Sequence, residues 1–293
     1  VGAALYVQES AANSTLEGPY PALEDLGELT WVGESGVVNA EGQAYTWSPR
    51  FMGISGVDDF TDPVSLNDAL GLEKPVAQFT RIVCNHCQID LTDPLPQATA
   101  ILYQDGSAEL IHDSGKAEPF GPSSEIVSMD TDPSSNTVFV TADGKVFRAF
   151  FDDDPVPYDF SGANVTYACG AGPAIFAVTD TGELWVADGF QGQSPGELVD
   201  LPTPGTTVTE IACAPHSLSS SRVPYFESRA LVLTDDTMLQ QLTRPFGEDV
   251  PLAWHPLGGP GVLAVQGHLV WFEGERMQGV DTPDYDGIGV LVD

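Results

Sequence analysis

A self-similar unit recurs along this chain of 293 residues and limits its fold more than any other feature. The fullest copy, YACGAGPAIFAVTDTGELWVADG at 167–189, reads as an apolar run, a Gly/Pro break, a second apolar run, an Asp-Thr-Gly turn and a third run carrying an aromatic. Short runs rich in Val, Ile, Phe and Trp, split by glycine turns, are successive antiparallel strands. The first strand returns in VTEIACAPHSL at 208–218, which puts Cys213 in the place of Cys169, and in FTRIVCNHC at 79–87. The hairpin returns in LYQDGSAELIH, FVTADGKVFRAF and AVTDTGELWVAD, with turn glycines at 106, 144 and 182, two steps of 38 residues. Looser copies at 37–47, 231–242 and 263–274 bring the total to roughly six hairpins, a periodicity typical of propellers and solenoids.

No amphipathic helical pattern of useful length interrupts these strands, so helical repeats are excluded. One small sheet cannot bury both of its faces, whereas a ring of sheets packs each on the next and leaves only short edges. The expectation is an all-β chain, a single β-propeller domain over 1–293 with about seven blades, six being the alternative count. The apolar ends GAALYVQES (2–10) and GIGVLVD (287–293) lack hairpins of their own. They are expected to pair in one composite blade that closes the ring and hides two edges. Three insertions are expected, at about 49–76, 86–99 and 217–229, and loops of that length tend to carry function.

These residues resemble the repeat of the RCC1 (regulator of chromosome condensation) family, in which an ACG…HSLALTDDG-type pattern recurs in a seven-bladed propeller. The likeness rests on VTYACG with AIFAVTDTGELWVAD, and on ACAPHSL, where His216-Ser217-Leu218 resembles the family's His-Ser-Leu. It spans about 29 to 275 and is strongest near 165–190 and 209–241. The Trp-Gly that ends the family strand is replaced by Trp185-Val186, Phe147-Arg148 and Trp271-Phe272. The exchange-factor activity of the founding member is not carried over, because its partner-binding residues find no match here and fold alone does not transfer function.

Charge narrows the partners: 43 Asp and Glu face 10 Lys and Arg, a formal net charge of -33. Such a surface repels phosphate backbones and anionic membranes and favours cations or a basic protein. The hydrophobic fraction of 42% is ordinary for a globular chain and removes the reading of an acidic disordered one. No apolar run approaches the roughly 20 residues of a membrane helix. The chain opens on Val1 rather than Met, which reads as a processed mature chain or a fragment. An even number of cysteines and the sequons at Asn13 and Asn164 point to a secreted glycoprotein, with a cytoplasmic location as the alternative.

Candidate sites are few. Cys84-Asn-His-Cys87 has the spacing of a zinc or redox pair, but no second C-x-x-C or H-x-x-x-H completes a zinc site and the motif follows a strand rather than opening a helix. It is read as a core thiol with a loop thiol, or as part of a disulfide. Cys169 and Cys213 occupy equivalent places in adjacent repeats and could face one another near the axis, as a disulfide if their Cα atoms come within about 7 Å and as thiols otherwise. Acidic groups occur at Asp152-Asp153-Asp154, at Asp130 and Asp132, and at Asp281, Asp284 and Asp286, the last being the best half of a calcium loop, so Ca²⁺ is the one cofactor considered. No nucleophile elbow, H-E-x-x-H or phosphate loop is present, and His216 and Ser217, as strand neighbours, point apart.

The sequence therefore reads as a non-enzymatic interaction or scaffold propeller, binding a basic protein partner or a larger assembly through rim loops, with Arg222, Tyr225 and Phe226 as anchors. The alternatives are an extracytoplasmic enzyme acting on carbohydrate at the channel mouth and a structural subunit of an extracellular fibre or assembly.

Overall fold

The protein is described from a computed structural model, over residues 3–8, 17–20, 26–33, 36–46, 63–83, 97–131, 136–151, 153–189, 195–213, 227–245, 252–258, 262–266, 269–272, 276–279 and 287–292. Strands β1 (Ala3–Gln8) and β2 (Glu17–Tyr20) come first. The next sheet holds β3 (Leu29–Gly33), β4 (Gly36–Asn39), β5 (Ala44–Thr46) and β6 (Val64–Ser65), followed by helix α1 (Leu66–Leu70). Then come β7 (Val76–Val83), β8 (Gln97–Tyr103), β9 (Ala108–His112) and β10 (Ala117–Pro119). A third set is β11 (Ile126–Thr131), β12 (Asn136–Thr141), β13 (Val146–Phe150) and β14 (Val156–Tyr158). A fourth is β15 (Val165–Ala171), β16 (Ala174–Thr179), β17 (Leu184–Asp188) and β18 (Glu197–Leu198). The fifth is β19 (Val208–Cys213), β20 (Glu227–Thr234), β21 (Leu239–Pro245) and β22 (Ala253–Gly258). Three strands, β23 (Val262–Gln266), β24 (Leu269–Phe272) and β25 (Arg276–Gly279), precede the last, β26 (Gly287–Val292).

Among the described residues these strands form seven antiparallel sheets, six of them meanders of strands consecutive in the chain. The composite sheet β2-β1-β26 joins the two ends of the chain, with Ala3 opposite Val292 and Gln8 opposite Gly287. Strands β3, β7, β11, β15, β19 and β23 touch in succession, and β26 lies against β24 on one side and β3 on the other. The first strand of each blade is thus the inner one, and the ends expected to pair do so.

The core lies between blades rather than within them. Successive residues of a strand face opposite sides of its sheet. Ala100 and Leu102 of β8 therefore pack with Phe139 of the following blade, while Ile101 packs with Val38 and Leu66 of the preceding one. In the same way Val138 and Val140 meet Ile175, and Phe176 turns to Val232 and Leu242. Both faces of a second strand are covered, which is why β12 and β16 are buried at every position, around the apolar stretches 138–140 and 174–178.

Blades are also tied through the backbone. The turn carbonyls of Gly42, Gly106, Gly144 and Gly182 accept the N–H of Val76, Ile126, Val165 and Val208, the residue that opens the next inner strand. At Gly182, φ is +76° and an added Cβ would stand 2.6 Å from Cβ of Thr207 in the next blade. Both the left-handed backbone and the close approach call for glycine there. The equivalent position in the β20–β21 turn is Thr237, a branched residue at φ 60°.

Two expectations need correction at their edges. The segment expected as a connector over 49–76 contains β6 and the single-turn helix α1, capped by Ser65, whose Oγ accepts from the N–H of Asp68, and ended by Gly71 at φ 67°. Five residues are too few to leave an amphipathic period, which is why the helix is silent in the sequence. Likewise β8 already starts at Gln97 and β20 at Glu227, inside the expected insertions 86–99 and 217–229. Gln97 pairs with Val83 and Ala230 with Cys213, so inner-strand pairing extends the hairpins into the polar flanks.

Candidate functional site

Because the strands of each four-stranded blade alternate in direction, its first-to-second and third-to-fourth connections emerge at one rim, and its glycine turns at the other. The strand ends Val83 and Gln97, Cys213 and Glu227, and Thr46 and Val64 all belong to the first rim. Residues 84–96, 214–226 and 47–62, which join them, lie outside the described residues.

The same rim carries an open cleft of about 550 Å³ between two neighbouring blades. The hairpin β9–β10 forms one wall with His112, Ser114, Lys116 and Glu118, and the turn after β13 forms the other with Asp153, Asp154 and Pro155. Pro119 lies at its base, above the buried side chains of Leu110 and Phe120. Nε2 of His112 lies 2.7 Å from Oε1 of Glu118, and Nζ of Lys116 donates to Oε2 of the same carboxylate at 2.5 Å. These contacts, Lys116 first and His112 second, hold the Glu118 carboxyl below the usual carboxylate range. The two walls meet where the His112 and Phe151 rings pack edge to face, 5.8 Å apart. Phe151 is buried at φ 44°, and the N–H of Asp153 closes the turn onto the carbonyl of Phe150 at 2.8 Å. A bulky residue in the left-handed region persists only when surrounding packing over-determines it. Phe151 belongs to the inter-blade cluster with Ile82 and Phe139, which supplies that packing.

Around the axis, the inner strands from β3 to β19 are linked in succession. Trp31 of β3 packs against Phe79 of β7, ring centroids 5.1 Å apart and tilted by 54°. The Gln78 side-chain oxygen accepts from the N–H of Met129 at 2.8 Å, and a carboxylate oxygen of Asp130 accepts from the N–H of Gly170 at 3.3 Å. Cys169 and Cys213 complete the series as a disulfide with Cα atoms 5.7 Å apart. The equivalence of these cysteines in adjacent repeats thus becomes a covalent staple between two blades. Asp130, considered for a metal, serves as part of this inter-blade linkage.

Six cationic side chains, Lys74, Arg81, Lys116, Lys145, Arg148 and Arg244, are engaged by the chain's own groups. Lys74 pairs with Asp105 at 3.0 Å, Lys145 with Asp143 at 2.6 Å and Lys116 with Glu118. The guanidinium of Arg81, almost wholly buried, meets Asp113 at 2.7 Å and the side-chain oxygen of Gln97 at 2.7 Å. Arg148 donates to the carbonyls of Gly172 and Pro173 in the next blade. Arg244 reaches back one blade to Asp188 and, at 2.8 Å, to Glu197. Sequence reasoning missed these arginines as inter-strand and inter-blade ties; the only available signal was their scarcity in an acidic chain.

Of the residues singled out in the sequence, Asp153 and Asp154 line the cleft. Asn164 is exposed, its amide donating to Asp180 at 2.8 Å, and the sequon's Thr166 is exposed as well, its hydroxyl donating to the carbonyl of Val178. Asp132, Asp152, Cys84, Cys87, Asn13, His216, Ser217, Arg222, Tyr225, Phe226, Asp281, Asp284 and Asp286 lie outside the described residues. Among the described residues no group of three His, Cys, Asp or Glu is placed to hold a metal ion, and no helix is long and apolar enough to cross a membrane.

No family model matches the chain, and no curated protein matches it. Solved structures do. Prp20p of Saccharomyces cerevisiae, the yeast RCC1, is similar at 13% identity and a TM-score of 0.59, over 92% of this chain and 79% of that one. BBS1N, from its complex with ARL6DN, is similar at 9% identity and a TM-score of 0.53, over 94% of this chain and 82% of that one. YCF48 bound to D1 peptide is similar at 10% identity and a TM-score of 0.50, over 88% of this chain and 78% of that one. At such identities the likeness is one of architecture, and the chain has the RCC1-like β-propeller fold.

Proposed function

We propose that this chain is a non-enzymatic, protein-binding β-propeller whose partner presents a basic surface. One observation carries the reading: Lys74, Arg81, Lys116, Lys145, Arg148 and Arg244 are each paired with the chain's own carboxylates or carbonyls, while the chain retains a formal charge of -33. The field at its surface steers positively charged partners and suppresses anionic ones. Support from architecture comes from propellers of similar fold that are solved with proteins or peptides: yeast RCC1 (Prp20) with Kap60, BBS1N with ARL6DN, and YCF48 with D1 peptide. The binding rim is the one from which residues 84–96 and 214–226 depart and on which the cleft opens, so Arg222, Tyr225 and Phe226 remain the proposed anchors from that segment.

The Cys169–Cys213 disulfide supports maturation in an oxidising compartment, since buried bridges of this kind are rare where thiols are kept reduced. Within that proposal Asn13 and Asn164 are the glycan acceptors. Isolation from the native source at low ionic strength tests the function directly. A stoichiometric basic protein that dissociates as salt is raised is expected. A chain recovered alone under both conditions contradicts the reading.

A further inference from the structure

We infer that the outer edge of β25 takes up an extended, basic segment of the partner protein as an added fourth strand; the inference rests on the protein-binding reading above. A strand at the outside of a sheet leaves alternate N–H and C=O groups unpaired, and a chain that is not to be joined there shortens the strand or places proline in it. Among the described residues the other outer strands all do so. β6 and β18 are two residues long. β10 and β14 have three residues, with Pro119 and Pro157 among them. The longer β2 and β22 carry Pro19 and Pro256. β25 has four residues, no proline and an unbroken register with β24, from Arg276 opposite Phe272 to Gly279 opposite Leu269. Among the described residues no strand pairs with its other side.

The chain has little length of its own to fill that edge. Residues 113–125, 151–164 and 189–207 lead from the third strand of a blade to the next inner strand and hold β10, β14 and β18, whereas 280–286 alone join β25 to β26. A second copy of the chain is a poor occupant, because two bodies of formal charge -33 repel one another. The occupant is a strand of another protein, and its charge follows from the flanks. In sequence, Glu273 and Glu275 precede β25 and Asp281, Asp284 and Asp286 follow it, against Arg276 alone. Lysine or arginine at alternate positions complements that balance, while the main-chain hydrogen bonds of strand addition supply affinity. The blade of β25 also lies next to the one from which residues 214–226 depart, since β23 touches β19 and β20, so one partner reaches both.

The peptide acetyl-Lys-Val-Lys-Val-Lys-Val-Lys-amide, titrated calorimetrically into the full chain, tests the edge. The comparison is the same peptide N-methylated at every internal residue, which keeps its charge and side chains but cannot pair along either of its edges. Hydrogen exchange of the full chain, with and without the parent peptide, locates the contact. Saturable binding of the parent, about tenfold or more weaker after methylation, with exchange slowed at 276–279 and unchanged at the proline-bearing β22, is the expected result. Equal binding of the two peptides would mean adsorption to the acidic surface, and would overturn the edge while leaving the basic-partner reading in place. Slowed exchange confined to other strands, or absence of saturable binding, would likewise overturn the edge, whereas the protein-binding function stands or falls separately on the co-purifying partner.

Discussion

At the residue scale, the turn glycines combine two demands that no other side chain meets. Gly182→Ala places a Cβ against Thr207 and a left-handed backbone on alanine, for an expected loss of about 2 kcal/mol in urea unfolding. Thr237→Gly at the matching turn relieves a branched residue at φ 60° and is expected to gain about 1 kcal/mol by the same measurement. Asp105, in the β8–β9 turn, is held down to about 2 by hydrogen bonds from Ser107, through its side chain and then its backbone, and by Lys74. Its folded value lies below the unfolded one, so its contribution to stability is present above about pH 4 and lost as pH falls through about 2. A carboxyl-carbon NMR titration checks this, with a midpoint near 2 for Asp105 expected to move upward in Lys74→Ala. The glycine positions were legible because a turn that must be left-handed leaves a mark in the sequence; Phe151 was not, because its conformation is imposed by the neighbouring blade.

At the element scale, each blade gains its stability from the next. The disulfide between β15 and β19 spans 44 residues. Its removal in Cys169→Ala/Cys213→Ala is expected to cost about 2–4 kcal/mol, seen as a lower urea midpoint. In the parent chain, reductant alone should reproduce much of that drop. The strand repeat was legible because β12 and β16 are buried on both faces and carry short apolar runs, 138–140 and 174–178. Helix α1 was not, and neither was the cleft: its walls come from residues about 35 apart in the chain whose opposition depends on blade packing rather than on any local motif. The glutamate, lysine and histidine of the β9–β10 hairpin look like an ordinary solvated turn until Asp153 and Asp154 face them.

At the scale of the whole molecule, an uncompensated negative charge works against compactness as much as it selects partners. Raising ionic strength from about 0.01 M to 0.5 M shortens the screening length several-fold, so the melting temperature is expected to rise with sodium chloride before any specific cation is added. A fall over that range would mean that the intramolecular pairs of Lys74, Arg81, Lys145 and Arg244 outweigh the general repulsion. Carbodiimide cross-linking of the native complex, followed by peptide mass spectrometry, tests the central claim most directly, because it joins carboxylates only to amines in direct contact. Bonds from Asp153 or Asp154, and from the segments that leave β7 and β19, to lysines of one partner are the predicted result. Bonds confined to the opposite rim, at Asp105, Asp143 or Asp180, would contradict it.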